Sequence, residues 1–364
     1  LNGKRGRILS FDHQTRRFGV RLPSGESIAV RSDNFTDYSL DLPTFRSVRA
    51  RLEDPHFVMR RNTLMTMRNL EPHKLEQHAD KIATMLGDPN VDVRIEALYT
   101  LAEVPKAFAR FAGTVVAMCQ DEAVRPSVPH AEIFLLEVKV RLETTVRTAA
   151  MFTLSKLEPA TLALHIDAVV DYMDDPDGVM RRNVLLAIGM LEPETRDCFD
   201  SEAYSKLDDE SQQVRQCALM LLCNMGPATM TRHAEAIVGR LHDDHAGVRR
   251  AAMVAMRTME PETLRQHADA VAAELEDHDP MLRGYGYDPL LRGLALCVLE
   301  ELDPAHLAKY ADAILSCCME DTDAAVRCKA WDALAKMNPD SLAPYVGKVC
   351  LLYTSPSPRD CRLS

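Results

Sequence analysis

DDHAGVRRAAMVAMRTMEPETLRQHADAVAAELE, residues 243–276, is one cycle of a pattern that returns along most of the chain. It reads as a helix opening at Val248-Arg249, an apolar stripe at Met253, Met256 and Met259, a Glu-Pro break at Pro261, and the first helix of the next hairpin closing on Leu275. The break proline recurs at Pro72, Pro105, Pro159, Pro193, Pro227, Pro261, Pro304 and Pro339. Gaps of 33 to 35 residues dominate, and gaps of 54 and 43 carry inserts. A period of this size marks stacked helical hairpins, each burying its apolar side only against its neighbours.

The second helix of each hairpin, helix B, starts near a recurring arginine: Arg60, Arg94, Arg147, Arg181, Arg215, Arg249 and Arg327, with Arg283 or Arg292 in the interrupted unit, where the positions below are counted from Arg292. Four residues on stand Leu64, Leu98, Met151, Leu185, Leu219, Met253, Leu296 and Trp331. Seven on stand Met67, Leu101, Leu154, Ile188, Leu222, Met256, Leu299 and Leu334, and ten on the position is again apolar. Apolar residues three and four apart share one helix face, so this stripe is the predicted core. Position three is alanine in six units, Ala97, Ala150, Ala218, Ala252, Ala295 and Ala330, which lets helix backbones approach closely.

The first helix, helix A, carries a ring six residues after its proline: His78, Phe111, His165, Phe199, His233, His267, Tyr310 and Tyr345. A histidine that Phe and Tyr replace in sister units reads as a packing ring, not as a metal ligand or general base. Six residues before most helix-B arginines stands an aspartate: Asp54, Asp88, Asp175, Asp209, Asp243, Asp277 and Asp321. The carboxylates also complement the dipole of the helix that follows.

Together with the Val-Arg opening of helix B, this pairing resembles the HEAT family over roughly residues 39–348. The resemblance implies an all-α, right-handed α-α superhelix (armadillo-type/HEAT solenoid) of about eight 34-residue hairpins. It also implies a polar ladder between neighbouring repeats, carried over to Asp54, Arg60, Asp88, Arg94, Asp175, Arg181, Asp209, Arg215, Asp243, Arg249, Asp321 and Arg327. The Arg147 unit departs from the pattern, with Arg141 where the aspartate should stand.

Residues 1–38 follow another grammar. Short alternating runs (Ile8; Phe18, Val20, Leu22; Ile28, Val30) between Gly, Asp and Pro-Ser-Gly turns predict strands. They resemble a small β-barrel of the Tudor or KOW kind, lacking its first strand, before a solenoid over residues 39–349. Residues 350–364 resemble translated adapter sequence and are expected to be no part of the fold. Two insertions, near residues 122–141 and 279–287, read as enlarged loops; the second echoes DPMLRGYGY in DPLLRGLAL.

The formal net charge of −11 argues against a general binder of nucleic acid or anionic membrane. One local exception exists: residues 1–35 hold seven Lys/Arg against three Asp/Glu. The ten cysteines show no paired CxxC spacing and read as buried free thiols in a reducing compartment, cytoplasmic or nuclear. No metal, cofactor or catalytic residue is expected. His242, Asp243, Asp244 and His245 beside Asp277, His278 and Asp279 offer ligand types, but on exposed loops whose aspartates belong to the ladder. Deoxyhypusine hydroxylase, a HEAT-like enzyme, uses His-Glu pairs on its repeats, and no His-Glu dipeptide occurs in this chain.

The expected function is that of a non-catalytic scaffold binding another protein or peptide along helix B. Position five holds Met65, Tyr99, Phe152, Leu186, Met220 and Val254, with Arg61, Arg182 and Arg250 at position one. A helix-B face on the concave side would make an apolar groove with basic points, whereas packing between repeats is the competing reading of position five. A HEAT-like enzyme or chromophore-handling protein of the bilin-lyase type stays open as the alternative.

Overall fold

In the computed structural model the described residues are 7–12, 17–21, 24, 26–31, 45–121, 123, 145–275, 288–345 and 347. The two insertions and residues 350–364 lie outside them, apart from residue 123. The chain divides into two compact units, Leu1–Thr161 and Leu162–Ser364, each taken by itself below.

In the first unit, strands β1 (Arg7–Asp12), β2 (Arg17–Arg21) and β3 (Ser27–Arg31) form an antiparallel sheet in the order β1-β2-β3. Arg7 pairs with Arg21 and Arg17 with Arg31, and a bulge between Ile8 and Ser10 shifts the β1 register. No pairing among the described residues closes this sheet into a barrel. The helix Phe45–Leu52 then opens the helical repeats. Helices B of this unit are Phe57–Met67, Val91–Ala102 and Val146–Leu154, and each packs on the next.

The second unit repeats the plan with B helices Gly178–Gly189, Gln212–Asn224, Ala246–Met256, Pro289–Leu299 and Ala324–Ala335, again packed in succession. Across both units the position-seven residues and the position-three alanines are buried. At position four Leu64 through Leu296 are buried, and only Trp331 is half-buried, where the sequence predicts core. Burying a side chain of this size stabilises by about 1.5–3 kcal/mol, repeated in every unit.

The Glu-Pro break works as a helix start. Glu71, Glu192 and Glu260 are extended N-cap residues, and the proline after each sits in the first turn, where its missing N–H costs nothing. Gly226 replaces the acid before Pro227 and takes φ 94°, a left-handed conformation that glycine adopts without a Cβ clash.

Helix A differs from expectation. Most copies are two short pieces that break at the ring residue, as in Pro72–Glu76 and Ala79–Thr84 around His78. His78, His165, Phe199 and Tyr310 all have φ between −101° and −122° with ψ between 0° and 22°, off the helical values. Pro261–Ala273 runs unbroken through His267, although it shares the His-Ala dipeptide of His78, and nothing in the structure explains the difference.

Candidate functional site

The ladder sits where helix A hands over to helix B. Arg60 donates from Nε to Asp88 Oδ2 at 2.6 Å and from its second terminal nitrogen to Asp88 Oδ1 at 2.8 Å. Its remaining nitrogen donates to the Asp54 carbonyl at 2.8 Å. One guanidinium thus spans two repeats, gripping its own turn through backbone and the next through a bidentate pair. In the second unit Arg181 grips Asp209 (2.8 and 2.7 Å) and the Asp175 carbonyl (2.7 Å). Arg215 grips Asp243 (both 2.7 Å) and the Asp209 carbonyl (2.8 Å). Arg292 grips Asp321 with both side chains at or below 2 % exposure.

Each aspartate has a second task. Asp88, Asp175, Asp209, Asp243 and Asp321 accept the backbone N–H two residues on, closing the turn. The N-caps of helix B lie two residues later, at Asn90, Asp177 and Asp323. Burial alone would raise the Asp243 carboxyl, but Arg215 and the His245 amide outweigh it and hold it below the usual carboxylate range.

One rung falls outside the sequence pattern. Arg94 reaches Asp121 at 3.0 Å, an acid that stands before the insertion and not six residues ahead of Arg147. Asp121 follows the last buried residue of helix A by two, as Asp54 follows Leu52 and Asp88 follows Leu86. Counting forward from helix A would have found it. Arg249 and Arg327 hold the Asp243 and Asp321 carbonyls, at 2.8 and 2.9 Å. Asp277, the ladder aspartate expected after Arg249, lies outside the described residues.

The position-five residues occupy the neighbouring face of helix B, divided between the two units. In the first, Met65 is 42 % exposed, and Tyr99 and Phe152 are half-buried in an edge-to-face pair with centroids 6.1 Å apart. Cations flank that pair, Arg68 at 5.8 Å from the Tyr99 ring and Lys156 Nζ at 5.1 Å from the Phe152 ring. Arg61 lies against Asn62 and 4.0 Å from Asp92. In the second unit Met220 is 58 % and Val254 46 % exposed, while Leu186 is half-buried. Arg182 lies against Asn183, and Arg250 stands 3.4 Å from Asp288. Asp92 and Asp288 thus offset two of the three basic points.

The helix-A rings are half-buried and several touch the preceding repeat. His233 stacks on Tyr204 at 4.7 Å, Tyr310 donates to Asp269 at 2.7 Å, and Tyr345 to Asp312 at 3.0 Å. The loop histidines are not gathered: His242 is exposed and stands 3.9 Å from Glu274, while His245 lies 3.4 Å from Arg215. Among the described residues no group of three or more His, Cys, Asp or Glu could hold a metal ion. Cys119, Cys198, Cys217, Cys223, Cys297 and Cys318 are free thiols, but Cys328 is disulfide-bonded, against the expectation for all ten; no CxxC spacing signals it. No helix among the described residues is long and apolar enough to cross a membrane.

No protein-family model matches the chain, and no curated protein does. Solved structures do. YibA of Escherichia coli is similar over 80% of this chain and 93% of its own, at 14% identity and a TM-score of 0.51. An engineered protein is similar over 83% of this chain and 81% of its own, at 14% identity and a TM-score of 0.50. A designed armadillo repeat protein aligns over 62% of this chain at a TM-score of 0.41. The fold is that of a helical repeat protein.

Proposed function

We propose that the chain is a non-catalytic scaffold of the HEAT kind that binds a partner protein or peptide along the helix-B face. One observation carries the reading. In the second unit Met220 and Val254 are large apolar side chains left exposed on successive B helices, at the position where Leu186 is half-buried, and the first unit by itself leaves Met65 exposed at the same register. Single exposed apolar residues are ordinary, but recurrence at one register gives a face that an amphipathic helix or extended segment can follow.

Peptide selection by phage display against the immobilised full chain tests it. The expected result is enrichment of peptides with apolar residues at regular spacing, whose binding Met220→Asp with Val254→Asp abolishes at unchanged melting temperature. Alanine at Tyr99, Phe152 and Leu186 separates groove from core. Lost stability assigns those three to packing between repeats, and lost binding at unchanged stability assigns them to the groove. Selected peptides that bind the double aspartate variant as well as the parent would refute the proposal.

A further inference from the structure

The fold sorts the methionine sulfur of this chain into two populations. Most of the described methionines are sealed in the core, and Met253 and Met256 are fully buried at positions four and seven of their helix B. Four are exposed: Met65, Met190, Met220 and Met319. Met319 lies near the end of a helix A, Ala311–Glu320, but the other three lie on or directly after B helices. Met65 and Met220 stand at position five, and Met190 is the C-cap of Gly178–Gly189.

In the second unit these sulfurs belong to one surface. Residues four apart share a helix face, so Met190 extends the face of Leu186. The B helix packed next, Gln212–Asn224, adds Met220, and the one after it, Ala246–Met256, adds Val254. Half of that apolar row is therefore thioether.

A thioether differs from Leu or Val in one reaction. The sulfur lone pair attacks a peroxide oxygen: the O–O bond breaks, an S–O bond forms, sulfur is oxidised, and the second oxygen leaves as water. A polar sulfoxide then stands where a soft apolar side chain stood. We infer that oxidation of Met190 and Met220 by a peroxide is a reversible switch that turns off partner binding on the helix-B face of the second unit. The inference rests on the helix-B reading above and adds its regulation.

Burial makes the switch selective. An oxidant in solution meets Met190 and Met220 but not Met253 or Met256, so the face changes while the core beneath it keeps its packing. The neighbouring thiols do not compete on equal terms. Cys217 and Cys223 flank Met220 on its own helix, and burial pushes both thiols up, away from the thiolate form that reacts with peroxide. A thioether needs no deprotonation.

The test treats the full chain with hydrogen peroxide, maps sulfoxides by peptide mass spectrometry, and measures binding of the phage-selected peptides before and after. Met190 and Met220 are expected to oxidise at least about ten-fold faster than Met253 and Met256. Affinity for peptides that depend on Met220 and Val254 is expected to fall about ten-fold or more at an unchanged melting temperature. Methionine sulfoxide reductases for the two epimers are expected to restore it. Met190→Leu with Met220→Leu conserves volume and keeps every cysteine, so this variant should bind the peptides and ignore peroxide. The inference is overturned if Met220 oxidises no faster than Met253, or if the oxidised chain binds those peptides as tightly as before. It is equally overturned if the reductases restore nothing, or if the leucine variant loses binding on oxidation as the parent does. Peptide binding that survives oxidation leaves the helix-B reading standing, whereas absence of any peptide that depends on Met220 and Val254 ends both.

Discussion

Replacing Arg215 by Met should show how much one rung contributes. Arg215 and Asp243 are 11 % and 4 % exposed, and the substitution leaves the aspartate without its guanidinium, with the His245 amide bonded to it and the His245 ring 4.0 Å away. Breaking a buried pair from one side costs about 3–5 kcal/mol; the remaining amide bond and the partial exposure of Arg215 place this case near 3 kcal/mol. Arrays of repeats need not unfold in one step, so the assay is native-state hydrogen exchange at amides of Ala246–Met256 together with urea melts. A cycle with Asp243→Asn isolates the pair: the double variant should lose no more than Arg215→Met alone. The pH dependence is fixed in sign. Because the folded Asp243 carboxyl is held down, the rung contributes fully above the unfolded value of ~3.9 and is lost as pH falls through the lower folded value. In Arg215→Met the carboxyl loses that support, so parent and variant should converge in acid. A loss below about 0.5 kcal/mol, the scale of an exposed ion pair, or strict additivity in the cycle would refute the reasoning.

Three further outcomes are expected. Gly226→Ala should destabilise by about 1–3 kcal/mol in a thermal melt, because φ 94° is strained for any residue with a Cβ, even though open space surrounds the position. The Tyr310 phenol, pushed up to about 12 by burial and by its bond to Asp269, should titrate lower in Asp269→Asn when phenolate absorbance is followed. Burial pushes the Cys119 thiol up to about 12, so a disulfide reagent should label exposed Cys198 quickly and Cys119 only after denaturation.

Helix B was legible in the sequence because one period fixes both its apolar stripe and its arginine, and at positions four and seven burial follows that stripe from Leu64 to Leu334 except at half-buried Trp331. The rung at Asp121 was not, because counting backward from Arg147 crosses the insertion, whereas the acid belongs to the end of helix A. The break at His78 was equally hidden: His-Ala-x-x-Ile is good helical sequence, and the backbone departs from it only at the ring. The helix-B face was half legible. Register placed Met220 and Tyr99 at one position, but exposure depends on the neighbouring repeat, which a single unit does not reveal. In the amino-terminal segment, alternation gave the strands, while the pairing of Arg7 with Arg21 needed the register that the bulge sets.

The clasp between repeats has a practical corollary for protein engineering. Arg60, Arg94, Arg181, Arg215 and Arg292 each clamp the acid at the close of the following helix A, so residues spliced after that acid and ahead of the next helix B leave the clamp untouched. One irregular stretch of this chain begins after Asp121, at that same seam. The seam is therefore the natural place to graft a foreign loop, since its length can vary while the neighbouring hairpins stay bolted together.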